Sequence, residues 1–108
     1  MDSKKIIKKQ WQQYFDNFSI KYLKDKQPEY IEIQVMSQEI GIQPETDWTV
    51  LKGITYDTKS NTLAIQVDKM EHMISQPKEI YVNEEDNGWI TGMMVVQEGG
   101  EQNIIDIR

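Results

Sequence analysis

The chain of 108 residues contains no cysteine. That excludes a disulfide framework, a thiolate nucleophile and a structural zinc site built on sulfur. No run approaches the roughly 18 apolar residues that a bilayer-crossing helix needs, so no membrane span is expected. Met1 to Lys9 opens like the charged start of a secretion signal but reaches no apolar segment. Together with the absence of cysteine, this points to the cytoplasm. His72 is the sole histidine, which rules out a multi-histidine metal site and a Cys–His pair. None of Ser3, Ser19, Ser37, Ser60 and Ser75 lies in a Gly-x-Ser-x-Gly elbow. Gly99-Gly100 lacks the lysine and the following helix of a phosphate-binding loop. No cofactor and no metal are expected.

Basic charge is scarce beyond residue 28. The net charge of −6 divides into +4 over residues 1–28 and −10 over residues 29–108. An acidic body repels phosphates, so nucleic acid is a poor partner. A chain of this length fits one domain over residues 1–108, able to bury about two-thirds of its chain surface.

What is present is regular apolar spacing. Ser3 can cap a helix. Ile7, Trp11, Tyr14, Phe15, Phe18 and Tyr22 then recur at three- and four-residue intervals, which predicts a helix over about 4–18, extending toward Leu23. Lys4, Lys5, Lys8 and Lys9 at its positive end oppose the macrodipole and call for acidic neighbours. Lys24 to Pro28 reads as a loop.

From Glu29 the spacing changes to alternation. Ile31, Ile33 and Val35 share one face of a strand ending near Met36, and Gln38 to Asp47 reads as irregular. Leu51–Asp57 and Leu63–Val67 read as a hairpin around the turn Asp57–Thr62. Short strands follow at His72–Ile74, Ile80–Val82, Trp89–Val96 and Asn103–Ile107, with Pro77 interrupting and Gly99-Gly100 in a tight turn. The fold class is α+β: an N-terminal amphipathic helix packed on a strongly bent antiparallel sheet or small open β-barrel, the sheet covering about 29–108. Short turns make the strands sequential neighbours.

Three elements carry a resemblance: Trp11-x-x-Tyr14-Phe15-Asp16; Gln43-Pro44-Glu45-x-Asp47-Trp48 with Gly53-Ile54-Thr55-Tyr56-Asp57; and His72-x-Ile74-x-x-Pro77-x-Glu79-Ile80-Tyr81-Val82. The chain resembles, over nearly its whole length, a small bacterial domain family of unknown function. Trp89 to Arg108 matches in its apolar pattern only. The resemblance implies a bacterial domain with no assigned activity and supplies no functional residues.

The candidate contacts are Glu45, Asp47, Trp48, Tyr56, His72 and Tyr81. Trp48 behind Pro44, Glu45 and Asp47 suits a cationic or amphipathic ligand, or a lysine or arginine on a partner. The same residues also suit a plug at the end of the sheet and a capped turn. Gly53 marks a bend or a close approach in the strand. Glu84-Glu85-Asp86 crowds oxygen ligands but fails the spacing of a calcium loop, so it reads as a solvated turn. The resulting expectation is a non-catalytic binding or interaction domain whose partner is an unknown protein or small molecule. The alternative is a small hydrolase or isomerase using His72 with Asp57 or Glu79. A third reading is a homodimer that sets the basic segment of one copy on the acidic sheet of another.

Overall fold

The computed structural model describes residues 3–22, 29–39 and 41–108, and gives only the backbone of Tyr22, Glu45, Thr46 and Asp47. Strand β1 (Lys4–Ile6) leads through a single 3-10 turn (Lys8–Gln10) into helix α1 (Trp11–Tyr22). Seven strands follow: β2 (Glu29–Ser37), β3 (Gly41–Asp57), β4 (Thr62–Val67), β5 (Glu71–Ser75), β6 (Pro77–Glu84), β7 (Ile90–Gln97) and β8 (Gln102–Ile107). They form one antiparallel sheet in the order β1-β6-β7-β8-β2-β3-β4-β5. Among the described strands the sheet is open, with β1 and β5 at its edges, so it is not a closed barrel. The Lys24–Pro28 loop and Ile40 lie outside the described residues.

The helix expected over 4–18 begins only at Trp11. Ile6 is buried and pairs with Ile80 across β1 and β6, which draws the preceding lysines into the sheet. Lys4 Nζ lies 2.8 Å from Glu84 Oε1, and Lys5 Nζ lies 3.1 Å from Glu79 Oε2. The acidic neighbours that the basic segment called for are therefore on β6. Neither lysine stands on the helix, so neither opposes its dipole. The Trp11 indole N–H donates to the Ile6 carbonyl at 2.8 Å and fixes the step from strand to helix.

Trp11, Phe15 and Phe18 are the buried stripe of α1, whereas Ile7 is 57% exposed. The stripe joins one core with the inward side chains of the sheet, among them Ile31, Ile33, Ile54, Leu63, Ile65, Ile80, Val95 and Ile105. The Trp11 and Tyr56 rings meet edge to face with centroids 5.1 Å apart. Such burial is the main source of stability, at about 1.5–3 kcal/mol per large apolar side chain.

Strand β3 runs for 17 residues, through the segment 38–47 that reads as irregular. Its first half pairs with β2 alone, because β4 reaches only from Asp57 to Leu51. Pro44 therefore occupies an edge, where a missing N–H breaks no ladder. At Gly53 the β3–β4 register shifts, and an added Cβ would lie 2.8 Å from Gln66 Oε1. This is the close approach that the glycine implied.

The sheet folds over on itself. His72 of β5 reaches Asn103 of β8, although β2, β3 and β4 separate them in the strand order. At Gln76, with φ of 51°, the chain leaves β5 for β6, and the Gln76 carbonyl accepts from Glu98 N–H at 2.9 Å.

Candidate functional site

The expected contact residues whose side chains are described, Trp48, Tyr56, His72 and Tyr81, do not converge. Tyr56 is buried, and its hydroxyl donates to Asn61 Oδ1 at 2.7 Å. Burial, followed by the nearby Asp57 charge, pushes that hydroxyl above its ordinary pKa. Trp48 is exposed, with the Arg108 guanidinium 3.8 Å from its ring centroid. The side chains of Glu45 and Asp47 lie outside the described residues.

His72 shares the inner face with its β4 partner Ile65 and ties the folded sheet together. Gln97 Nε2 donates to the Ser75 carbonyl at 2.8 Å, so its Oε1 accepts from Asn103 Nδ2 at 2.9 Å. Asn103 Oδ1 is then the acceptor for His72, with Nε2 as the protonated nitrogen, at 3.2 Å. The partner of His72 is thus an amide. Glu79 projects from the opposite face of the sheet beside Tyr81, and Asp57 caps its own turn through Lys59 N–H and the Ser60 hydroxyl. The His72–carboxylate pair of the enzymatic alternative is not assembled.

Glu84 faces inward to Lys4 and to the Tyr14 hydroxyl rather than joining a carboxylate turn. Burial pulls its carboxyl upward, but the hydrogen bonds from Lys4 and Tyr14 outweigh this and leave it below the ordinary range. Among the described residues no three His, Cys, Asp or Glu side chains cluster as metal ligands.

Tyr81 belongs to a different surface. The strand registers align three rows of outward side chains across the sheet. One row runs Lys5–Tyr81–Met94–Ile104–Gln34–Pro44. The next runs Glu79–Val96–Gln102–Met36–Ile42. On the other side of the first lies Asn83–Gly92–Asp106–Glu32. Tyr81, Met94, Ile104, Val96, Met36 and Ile42 give this face an apolar centre. By contrast, the outer face at β3–β5 carries a polar ladder in which Gln66 Nε2 donates to Thr55 Oγ1 and to Glu71 Oε2, each at 3.0 Å.

One end of the apolar centre is electrostatically organised. Glu79 Oε2 accepts from the Tyr81 hydroxyl at 2.8 Å and pairs with Lys5. The bonds from Tyr81 and Lys5 hold the Glu79 carboxyl below its ordinary value, and the bond to Glu79 raises both Lys5 and Tyr81. Between the rows lies a groove of about 310 Å³ whose lining includes Met36, Tyr81, Asn83, Gly92, Met94 and Asp106.

The sequence points to Tyr81, Glu79 and Pro44 on this surface but not to the rest of its apolar centre. A signal was present: the outward positions of β2, β7 and β8 hold Met36, Met94, Val96 and Ile104, where a solvated face ordinarily alternates to polar residues. Turning that into a surface requires the long-range neighbours β8–β2 and β1–β6, which no short turn announces.

A family model described as a family of unknown function (DUF5335) matches residues 2–108. An uncharacterised protein of Aquifex aeolicus (strain VF5) is 40% identical over 109 residues, covering all of this chain and 94% of that protein. No solved structure matches.

Proposed function

We propose that this chain, which belongs to the DUF5335 family of unknown function, acts as a non-catalytic interaction domain through the outer face of β6, β7, β8, β2 and β3. One observation carries the reading. That face presents half-buried Met36, Tyr81, Met94, Val96 and Ile104 in aligned rows, while the outer face at β3–β5 carries the Thr55–Gln66–Glu71 ladder, with Ala64 and the exposed Met73 beside it. A contiguous apolar patch with a polar rim is the usual form of a protein contact surface. The rim here is Lys5, Glu79, Asn83, Asp106 and Glu32. The 43–48 segment contributes Pro44 at the margin of this surface. Lys4 and Lys5 are taken up by Glu84 and Glu79 of the same chain, which weakens the case for a homodimer built on the basic segment.

Site-specific photocrosslinking in the native host tests this. A crosslinker at Val96 is expected to give a discrete adduct that Met94→Glu abolishes, and one at Gln66 is expected to give none. Equal adducts from both positions, or none from Val96, would remove the outer face from consideration. Surface changes of this kind are expected to alter stability by within about 0.5 kcal/mol.

A further inference from the structure

We infer that the groove over Gly92 receives an extended polypeptide segment carrying a lysine or arginine next to an apolar residue. The inference rests on the outer face being the contact surface and names what that surface takes.

Gly92 is the starting point. Glycine inside a strand is unfavourable by about 0.5–1 kcal/mol relative to alanine, so its presence asks for a cause. Backbone geometry is not the cause, because Gly92 is not among the residues of positive φ. Steric exclusion is not the cause either. An added Cβ would meet Asn83 Nδ2 at 3.5 Å and Asp106 Oδ1 and the Ile105 carbonyl at 3.6 Å, all ordinary contacts. Gly92 is itself buried between the Asn83 and Asp106 side chains, and leaving out a side chain there keeps the floor of a notch open between them.

The notch has apolar walls and an acidic end. Met36, Tyr81, Met94 and Ile104 line it. Asp106 stands at its margin, and the register sets Glu32 directly opposite Asp106 across β8 and β2. Like charges in that relation destabilise a sheet. Among the described residues, neither carboxylate has an ion-pair partner. Arg108, two residues beyond Asp106, lies over the Trp48 ring.

These features select the occupant. A cationic side chain relieves the Glu32–Asp106 repulsion, while an apolar neighbour fills the walls. A second copy of the same face fits badly, since it brings two more such carboxylates to one interface. Four strands at about 4.8 Å spacing make the groove roughly 14 Å wide, which an extended segment of about four residues spans.

The probe is the acetylated, amidated hexapeptide (Leu-Lys)₃, titrated into the ¹⁵N-labelled protein, with (Leu-Gln)₃ and n-butylamine as comparisons. Saturable shifts are expected at the amides of Asn83, Gly92 and Asp106. Binding is expected to weaken about tenfold or more with Asp106→Asn, with Gly92→Leu, and with (Leu-Gln)₃ in place of (Leu-Lys)₃. Unchanged amide positions away from the groove establish that each variant folds, and Gly92→Ala serves if Gly92→Leu does not. Equal affinity for (Leu-Gln)₃ overturns the cationic preference but leaves the outer face standing. Equal affinity for n-butylamine overturns the polypeptide occupant. No shift with (Leu-Lys)₃ at millimolar concentration overturns this inference, whereas the reading beneath it stands or falls on the Val96 crosslink.

Discussion

Ser19 of α1 bonds the backbone of Ile54 twice, as a strand would. Its hydroxyl donates to the Ile54 carbonyl at 3.0 Å and accepts from the Ile54 N–H at 3.1 Å. Among the described residues β2 pairs with β3 no further than Glu29–Leu51, and no described strand bonds the Ile54 backbone on that side. One serine completes the ladder and fixes the helix along the sheet.

Ser19→Ala should therefore cost more than a surface substitution, because it orphans a donor and an acceptor on a core strand. About 1–3 kcal/mol is expected, read as a lower urea midpoint at unchanged slope. Asn17→Ala, on the same helix but exposed, should stay within about 0.5 kcal/mol.

Glu84 makes stability depend on acid. Its folded-state pKa lies below the ordinary carboxylate value. Its contribution is then complete above the unfolded carboxylate pKa and is lost as pH falls through the folded one. Glu84→Gln should lower stability at pH 7 by about 1 kcal/mol, as should Tyr14→Phe, and should flatten the acid limb of a stability–pH curve. An acid limb identical to that of the parent protein would show that the Lys4–Glu84–Tyr14 group is not coupled to folding.

The amide relay through Gln97 and Asn103 requires the Nε2–H tautomer of His72 whenever the ring is neutral. Ring ¹⁵N shifts at alkaline pH should report that form. Asn103→Ala should destabilise by about 1–3 kcal/mol, since it strands polar groups where the residue is almost wholly buried.

Trp48→Ala should change stability by less than about 1 kcal/mol, the usual size of an exposed cation–π contact. A larger loss would make Trp48 part of the core after all.

The sequence and the structure agree where a local pattern suffices. The strands at 29–36, 51–57, 63–67, 80–82 and 103–107 follow from alternation, and Trp11, Phe15 and Phe18 follow from helical spacing. They part where a distant partner decides. Lys4-Lys5-Ile6 continues a helical pattern as well as it fits a strand, and only β6 settles it. Gly41 and Pro44 read as loop because nothing local shows that half of β3 is an edge. The site was less legible still. Alternation assigns Met94 and Ile104 to one side of their own strands but cannot say that they stand next to Tyr81 and Gln34.

The place of β8 has a consequence for how the protein is made. β8 stands between β7 and β2 and links strands β2 to β5 with β6 and β7. Until Gln102–Ile107 has left the ribosome, Ile31 and Ile33 on β2 lack the strand that pairs beside them. Partners so distant in sequence favour slow folding. The nascent chain exposes one unpaired edge of an apolar strand throughout that interval, so synthesis rate and chaperone supply should govern its yield more than its final stability does.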